Sequence, residues 1–196
     1  AVFAEFVEKA RKPRADALKN RDAILAAARQ TFEAEGVMAP LDGIAALAGV
    51  GNATLYRNFP TRDDLLVEII QSSFETALAE GRALSETLPP GEALSEWLVS
   101  LAWQLRIWHD LPYCLASAHA EPGGSLSASN QPLIDETDRL LQLALAAGQA
   151  AENVTADEIY ELILALSWAI DRYGDNAETA RRRVLIAIAG ICGKQS

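Results

Sequence analysis

Apolar residues recur along the chain at the spacing of α-helices, and the alternation typical of strands is nearly absent. Ile24, Ala28 and Phe32, four residues apart, fall on one face of a helix predicted over 16–35. Gly36 follows as a helix-ending glycine. The pattern predicts an all-α fold.

Two short helices are predicted next, one after Pro40 and one over about 52–58. The first is expected to turn three residues inward, namely Ile44, Leu47 and Ala48. Gly49 interrupts the pattern between the two helices, and Pro60 ends the second.

Longer helices occupy the rest of the chain. Thr61 begins one that extends to about Leu84, and Asp64 forms a variant of the capping box with it. A polar segment over 122–130 is predicted to be a flexible loop. Further helices are predicted at about 92–108, 112–120, 131–150, 155–173 and 176–193.

The helix predicted over 155–173 carries two apolar stripes, whereas a helix on the surface of a monomer needs only one. Tyr160, Leu164 and Trp168 form one stripe. Burial on both sides is expected, either within a monomer core or between that core and a second subunit. The simplest account is a four-helix interface in a homodimer, with these contacts: Ile159, Leu162, Ile163, Leu166, Ile170, Leu185, Ile188 and Ala189.

The net charge of −10 is unevenly distributed over the 196 residues. Residues 1–64 are neutral, with nine basic and nine acidic side chains, so residues 65–196 carry the whole excess. Six basic residues lie within 9–21 against one acidic residue. This distribution fits a protein that presents its N-terminal end to a polyanion, although the basic segment is equally explained as a solvated extension.

Few residues in the chain offer catalytic or metal chemistry. Cys114 and Cys192 are expected to be reduced and buried, with a redox pair as the alternative. His109 and His119 have no metal-site or nucleophile spacing, so no enzyme activity, metal or cofactor is predicted. No apolar run is long enough for a membrane span, and a cytoplasmic protein is expected.

Two short helices joined by a turn that contains glycine make a helix-turn-helix. Gly49 lets the chain reverse tightly, and Val50 and Leu55 are predicted to fill the angle between the helices. Small residues at the start of the second helix would let its backbone approach a DNA major groove. These residues are Gly51, Asn52 and Ala53.

The segment from Gly36 to Leu65, GVMAPLDGIAALAGVGNATLYRNFPTRDDL, resembles the signature of TetR-family transcriptional regulators. The matching parts are Ile44-Ala45, Ala48-Gly49-Val50, Thr54-Leu55-Tyr56, Phe59 and Arg62 to Leu65. The resemblance implies a DNA-binding domain over 1–62 and a helical domain over 63–196 that senses a ligand and dimerises. Double-stranded DNA, a second copy and a small-molecule effector are the implied partners.

The resemblance also assigns roles to single residues. Tyr56 matches a tyrosine that contacts phosphate, and Asn52 could form a bidentate pair with adenine. Tyr56 could instead be a half-buried surface aromatic residue, and Arg57 and Arg62 could be solvated charges. The complete predicted DNA-binding set is Gly51, Asn52, Ala53, Tyr56, Arg57, Asn58, Thr61 and Arg62.

An effector pocket is predicted from aromatic residues on the later helices. Its candidate lining is Phe74, Trp103, Trp108, His109, Tyr113, Tyr160 and Trp168, each of which could instead belong to an ordinary core. Effector binding is expected to release a repressor from a pseudopalindromic operator. The alternative is a helical carrier or sensor of small ligands with a non-functional helix-turn-helix.

Overall fold

The computed structural model describes the backbone of residues 2–192 and the side chains of residues 16–192. Within that part the chain forms helices and no strand, which confirms the all-α prediction. The helices are α1 (Val2–Glu35), α2 (Leu41–Ala48), α3 (Asn52–Asn58), α4 (Arg62–Thr87), α5 (Pro90–Gln104), α6 (Leu111–Ala120), α7 (Ser125–Ala146), α8 (Ala156–Tyr173) and α9 (Ala177–Ile188).

The chain divides into two compact units, an N-terminal unit of Ala1–Ile69 and a C-terminal unit of Ile70–Ser196. The division falls inside α4, which is continuous across it. No helix in the described part is long and apolar enough to cross a membrane.

The N-terminal unit packs α1 against α2 and α3. Gly49 adopts a left-handed conformation (φ 70°) and lets the amide of Val50 donate to the carbonyl of Ala45 (3.0 Å). Ile44 and Ala45 are buried, but Leu47 is 53% exposed, so its predicted inward position is wrong. At 3.6 residues per turn, Leu47 lies outside the arc that contains Ile44 and Ala45.

The C-terminal unit packs α5 against α7, α8 and α9, and α6 against α7 and α8. Two polar pairs cross its apolar core. The indole Nε1 of Trp97 donates to Thr137 Oγ1 (2.9 Å), which donates to the carbonyl of Leu133 (2.8 Å). The hydroxyl of Tyr160 donates to Asn130 Oδ1 (3.1 Å), and burial raises the pKa of that tyrosine.

The predicted loop over 122–130 is partly wrong because α7 already begins at Ser125. Leu126, Asn130 and Leu133 are buried at helical spacing, so tertiary packing stabilises this polar segment as helix. Pro132 lies inside α7, seven residues from its start. Cys114 and Cys192 are half-buried and not joined by a disulfide, and burial raises the pKa of Cys192 to about 11.

Gly81 lies where a side chain would meet the core of the C-terminal unit. A Cβ atom there would be 2.9 Å from Trp97 Cε3 and 2.8 Å from Glu136 Oε1. Gly81→Ala is therefore expected to lower the free energy of unfolding by about 1–3 kcal/mol, measured by urea denaturation. Gly43→Ala is the control, since its Cβ would meet nothing within 4 Å. Equal midpoints for Gly81→Ala and the wild type would contradict this close packing.

Candidate nucleic-acid interface and ligand site

One face of α3 is buried and the opposite face is exposed. Two apolar residues, Leu55 on α3 and Phe59 just after it, are each 1% exposed. They pack α3 against the rest of the N-terminal unit. The predicted base-reading residues Gly51, Asn52 and Ala53 are all exposed at the N-terminal end of the helix. Tyr56, 44% exposed, lies one turn further along. The structure therefore places these residues together on an open surface.

Two predicted DNA-binding side chains at the end of α3 bond back onto their own helix. Arg57 donates from Nε to the carbonyl of Ala53 (3.1 Å) and from Nη2 to Thr54 Oγ1 (3.0 Å). The side-chain amide of Asn58 donates to the carbonyl of Thr54 (2.8 Å). Arg57 is exposed, whereas Asn58 is half-buried, so Arg57 is the more accessible of the two.

The start of α4 confirms the predicted capping arrangement. The backbone amide and hydroxyl of Thr61 donate to Asp64 Oδ2 (3.0 and 2.7 Å), and the amide of Asp64 donates to Thr61 Oγ1 (3.1 Å). The pKa of the neighbouring Asp63 is raised, mainly by burial and secondly by the charge of Asp64. Thr61 is exposed, but Asp64 already engages its hydroxyl.

Arg62 connects α4 to the turn between α1 and α2. Its Nη1 donates to the carbonyl of Val37 and to that of Ala39 (2.8 Å). Both acceptor residues are buried. A guanidinium that satisfies two such carbonyls anchors the turn, a role that motif spacing alone could not indicate.

Arg21, the last residue of the basic segment, also contacts its own unit. Its guanidinium lies 4.5 Å from the centre of the Phe59 ring, and Nη2 lies 2.5 Å from Glu68 Oε1. Lys19 is exposed. The remaining basic residues of the segment, Lys9, Arg11, Lys12 and Arg14, lie outside the described side chains.

The aromatic residues predicted to line one pocket are divided among different places. Trp103 lines a cavity of about 410 Å³ that is open to solvent, and Tyr113 and Trp168 line a second open cavity of about 420 Å³ between α6 and α8. Tyr160 is fully buried in the core and lines neither of these two cavities. His109 is exposed, and Phe74 and Trp108 are half-buried.

Polar contacts surround the segment that follows Trp103. The guanidinium of Arg106 stacks 3.3 Å from the centre of the Trp103 ring. Nearby, His109 Nδ1 lies 2.9 Å from Asp171 Oδ2, which also accepts from the amide of Asp110 (3.4 Å). These contacts connect the α5–α6 segment to α8. Arg106 did not stand out in the sequence because no motif marks it.

Two family models match the chain. One, described as bacterial regulatory proteins of the tetR family, matches residues 24–69. The other, described as the C-terminal domain of SbtR-like transcriptional regulators, matches residues 89–192, which is more than half of the chain. The chain belongs to the TetR family. The resemblance drawn from the helix-turn-helix is thereby confirmed.

Individual TetR-family proteins resemble this chain over different shares of their length. The HTH-type transcriptional regulator RutR of Escherichia coli K12 is 28% identical over 139 residues, which cover 67% of this chain and 64% of RutR. The match thus spans less than two thirds of that relative. The TetR regulator SCO0520 of Streptomyces coelicolor is 30% identical, with a TM-score of 0.55, over 89% of this chain and 99% of SCO0520.

Thermus thermophilus FadR, a TetR-family repressor solved with lauroyl-CoA, shares the fold at 18% identity. Its TM-score is 0.61, over 90% of this chain and 97% of FadR.

The predicted dimer contacts of this TetR-family chain fall into two groups. Ile159, Ile163, Ile170 and Ile188 are at most 1% exposed within the single chain. They belong to its own core, because a buried side chain has no surface left for a partner. Leu162, Leu166 and Leu185 are half-buried and Ala189 is exposed. Ile186, which was not in the predicted set, is 68% exposed on α9 and lies three residues before Ala189 on the same helix face.

Proposed function

We propose that this TetR-family chain is a homodimeric transcriptional repressor that binds a pseudopalindromic operator in the cytoplasm and is released by a small-molecule effector. The observation that carries the proposal is the exposed N-terminal end of α3, held by Leu55 and Phe59. Small residues there permit close approach to a major groove.

The proposed roles differ along the recognition helix. Gly51 and Ala53 allow the backbone to approach the bases, and Asn52 pairs with one base, with adenine as its natural partner. Tyr56 and Arg57 contact phosphate, as does the exposed Thr61 at the start of α4. Asn58 and Arg62 act by holding the helix ends in place, since their side chains bond to carbonyls of the same unit.

The proposed dimer uses the outer faces of α8 and α9. Half-buried and exposed apolar side chains remain there after the core is formed: Leu162, Leu166, Leu185, Ile186 and Ala189. A twofold dimer would present two recognition helices to successive turns of DNA, which explains why a pseudopalindrome is expected. We retain residues 1–62 as the DNA-binding domain and 63–196 as the sensing and dimerising domain.

Selection of bound sequences from a random DNA pool tests this function. A palindrome should be recovered. Tyr56→Ala should weaken binding to all sequences by a similar factor, because a phosphate contact carries no sequence information. Asn52→Ala should relax discrimination at one base per half-site by about 1–3 kcal/mol, measured as relative affinities for single-base variants.

The control for both variants is Ala46→Ser, on the exposed side of α2. It should leave the selected sequence unchanged. If no sequence motif is recovered at low salt, the proposed repressor function is refuted.

The second candidate, a ligand carrier or sensor with a non-functional helix-turn-helix, would then replace it. The observation in its favour is that Arg57, Asn58 and Arg62 all bond within their own unit.

A further inference from the structure

The cavity beside Trp103 contains a cation, the guanidinium of Arg106. Among the side chains of residues 16–192, no carboxylate lies within ion-pair distance of Arg106, and its buried Nε has no hydrogen-bond partner. The guanidinium keeps its charge, although burial lowers its pKa and Asp171 only partly offsets that effect. A buried donor of this kind is normally satisfied by an acceptor.

The acidic group whose charge acts on Arg106, Asp171, is already engaged elsewhere. Asp171 Oδ2 receives the amide of Asp110 and lies 2.9 Å from His109 Nδ1. Asp171 therefore contributes charge near Arg106 without occupying its donors. Stacking on Trp103 at 3.3 Å restricts the guanidinium, and no acceptor in the described part of the chain bonds to it.

Hydroxyl groups of α4 line the same cavity. Thr76 donates to the carbonyl of Ser72 (2.9 Å), as hydroxyl groups on helices commonly do. The hydroxyls of Ser72 and Ser73 donate to no group in the described part of the chain, and both residues line the cavity with Arg106. Trp103 and Ile107 supply its apolar wall. Donors beside an apolar wall suit a ligand with an anionic head and an apolar body.

We propose that the effector of this regulator is a small organic oxyanion whose head group binds Arg106, Ser72 and Ser73 and whose apolar body lies against Trp103 and Ile107. The inference rests on the proposed function, because it names the chemical class of the effector. The volume of about 410 Å³ suits a molecule of one or two rings.

Isothermal titration calorimetry tests the proposal with four probes: phenylacetate, phenyl phosphate, the neutral phenylacetamide and inorganic phosphate. At least one organic anion should bind the full-length protein with a Kd of about 1 mM or tighter. Phenylacetamide should bind at least tenfold more weakly than phenylacetate. Preference between the two organic anions assigns the head group to carboxylate or phosphate.

Three variants locate the site. Arg106→Gln should lose binding at least tenfold, and the Ser72→Ala and Ser73→Ala double variant should weaken it several-fold. Arg172→Gln, which removes one exposed positive charge from the same unit, should bind like the wild type. If Arg106→Gln fails to fold, the serine double variant and the comparison of phenylacetate with its amide still test whether an organic anion binds at this site.

Several outcomes would overturn the proposal. These are equal binding of phenylacetate and phenylacetamide, binding of inorganic phosphate as tight as that of the organic anions, an unchanged Arg106→Gln, or no saturable binding of any probe. Operator binding without anion binding would refute this inference alone. Anion binding without selection of any DNA sequence would refute the proposed repressor alone.

Discussion

Replacing Trp97 by alanine is expected to lower the free energy of unfolding by about 3–5 kcal/mol. The indole is fully buried in α5, the helix that contacts α7, α8 and α9. The substitution removes apolar contacts, leaves a cavity and takes the donor away from Thr137. Urea denaturation followed by circular dichroism would measure the change.

Trp97→Phe keeps most of the packing and removes the hydrogen bond. Phenylalanine keeps an aromatic ring but cannot donate to Thr137, so a smaller loss of about 1–2 kcal/mol is expected. Thr137 retains its own donation to the carbonyl of Leu133, which limits that loss. A Trp97→Ala variant as stable as Trp97→Phe would show that the indole does not fill the core as described.

Arg62→Ala is expected to destabilise the N-terminal unit by about 1.5–3 kcal/mol, because two carbonyls at the α1–α2 turn lose a charged donor. Arg62→Lys should recover only part of this stability, since an ammonium cannot reproduce the planar fork. Hydrogen exchange of the amides in residues 36–49 would report the change locally.

DNA binding distinguishes an anchoring role for Arg62 from a phosphate contact. The slope of log affinity against log salt should be unchanged in Arg62→Ala, whereas Arg57→Ala should reduce it by about one for each phosphate that this arginine neutralises. Arg57 is the matched control because it is an exposed arginine of the same unit and bonds only to its own helix. A reduced slope for Arg62→Ala would assign that side chain to phosphate.

Local signals accounted for the helix-turn-helix. Pro40, Gly49 and Pro60 mark its helix ends through backbone constraints that hold whatever the surroundings. The sequence did not predict which apolar residues of α2 are buried. Leu47 and Ile44 are both apolar, and only the packing shows that Ile44 is buried and Leu47 is exposed. The error over 122–130 has the same origin, since burial of Leu126 and Asn130 outweighs the polar composition of the segment.

The candidate sites were harder to predict than the helix-turn-helix, because they depend on contacts between residues far apart in the sequence. Arg62 bonds to carbonyls 25 and 23 residues away, and the charge of Asp171, on α8, affects the pKa of Arg106. No spacing rule reports such contacts. The aromatic set was expected in one pocket because all its members lie on the later helices, but the helix faces place Tyr160 in the core and Trp168 outside it.

The two buried polar pairs give α7 a fixed axial position. Thr137 bonds to α5 through Trp97, and Asn130 bonds to α8 through Tyr160 and to α6 through the carbonyl of Leu115. Apolar side chains tolerate sliding, but a directional bond fails within a displacement of about 1 Å, far less than the 5.4 Å of one helical turn. We therefore expect α5, α6, α7 and α8 to move together as one rigid group when the C-terminal unit changes shape. Sliding of α7 past α5, α6 and α8 would have to break all three hydrogen bonds.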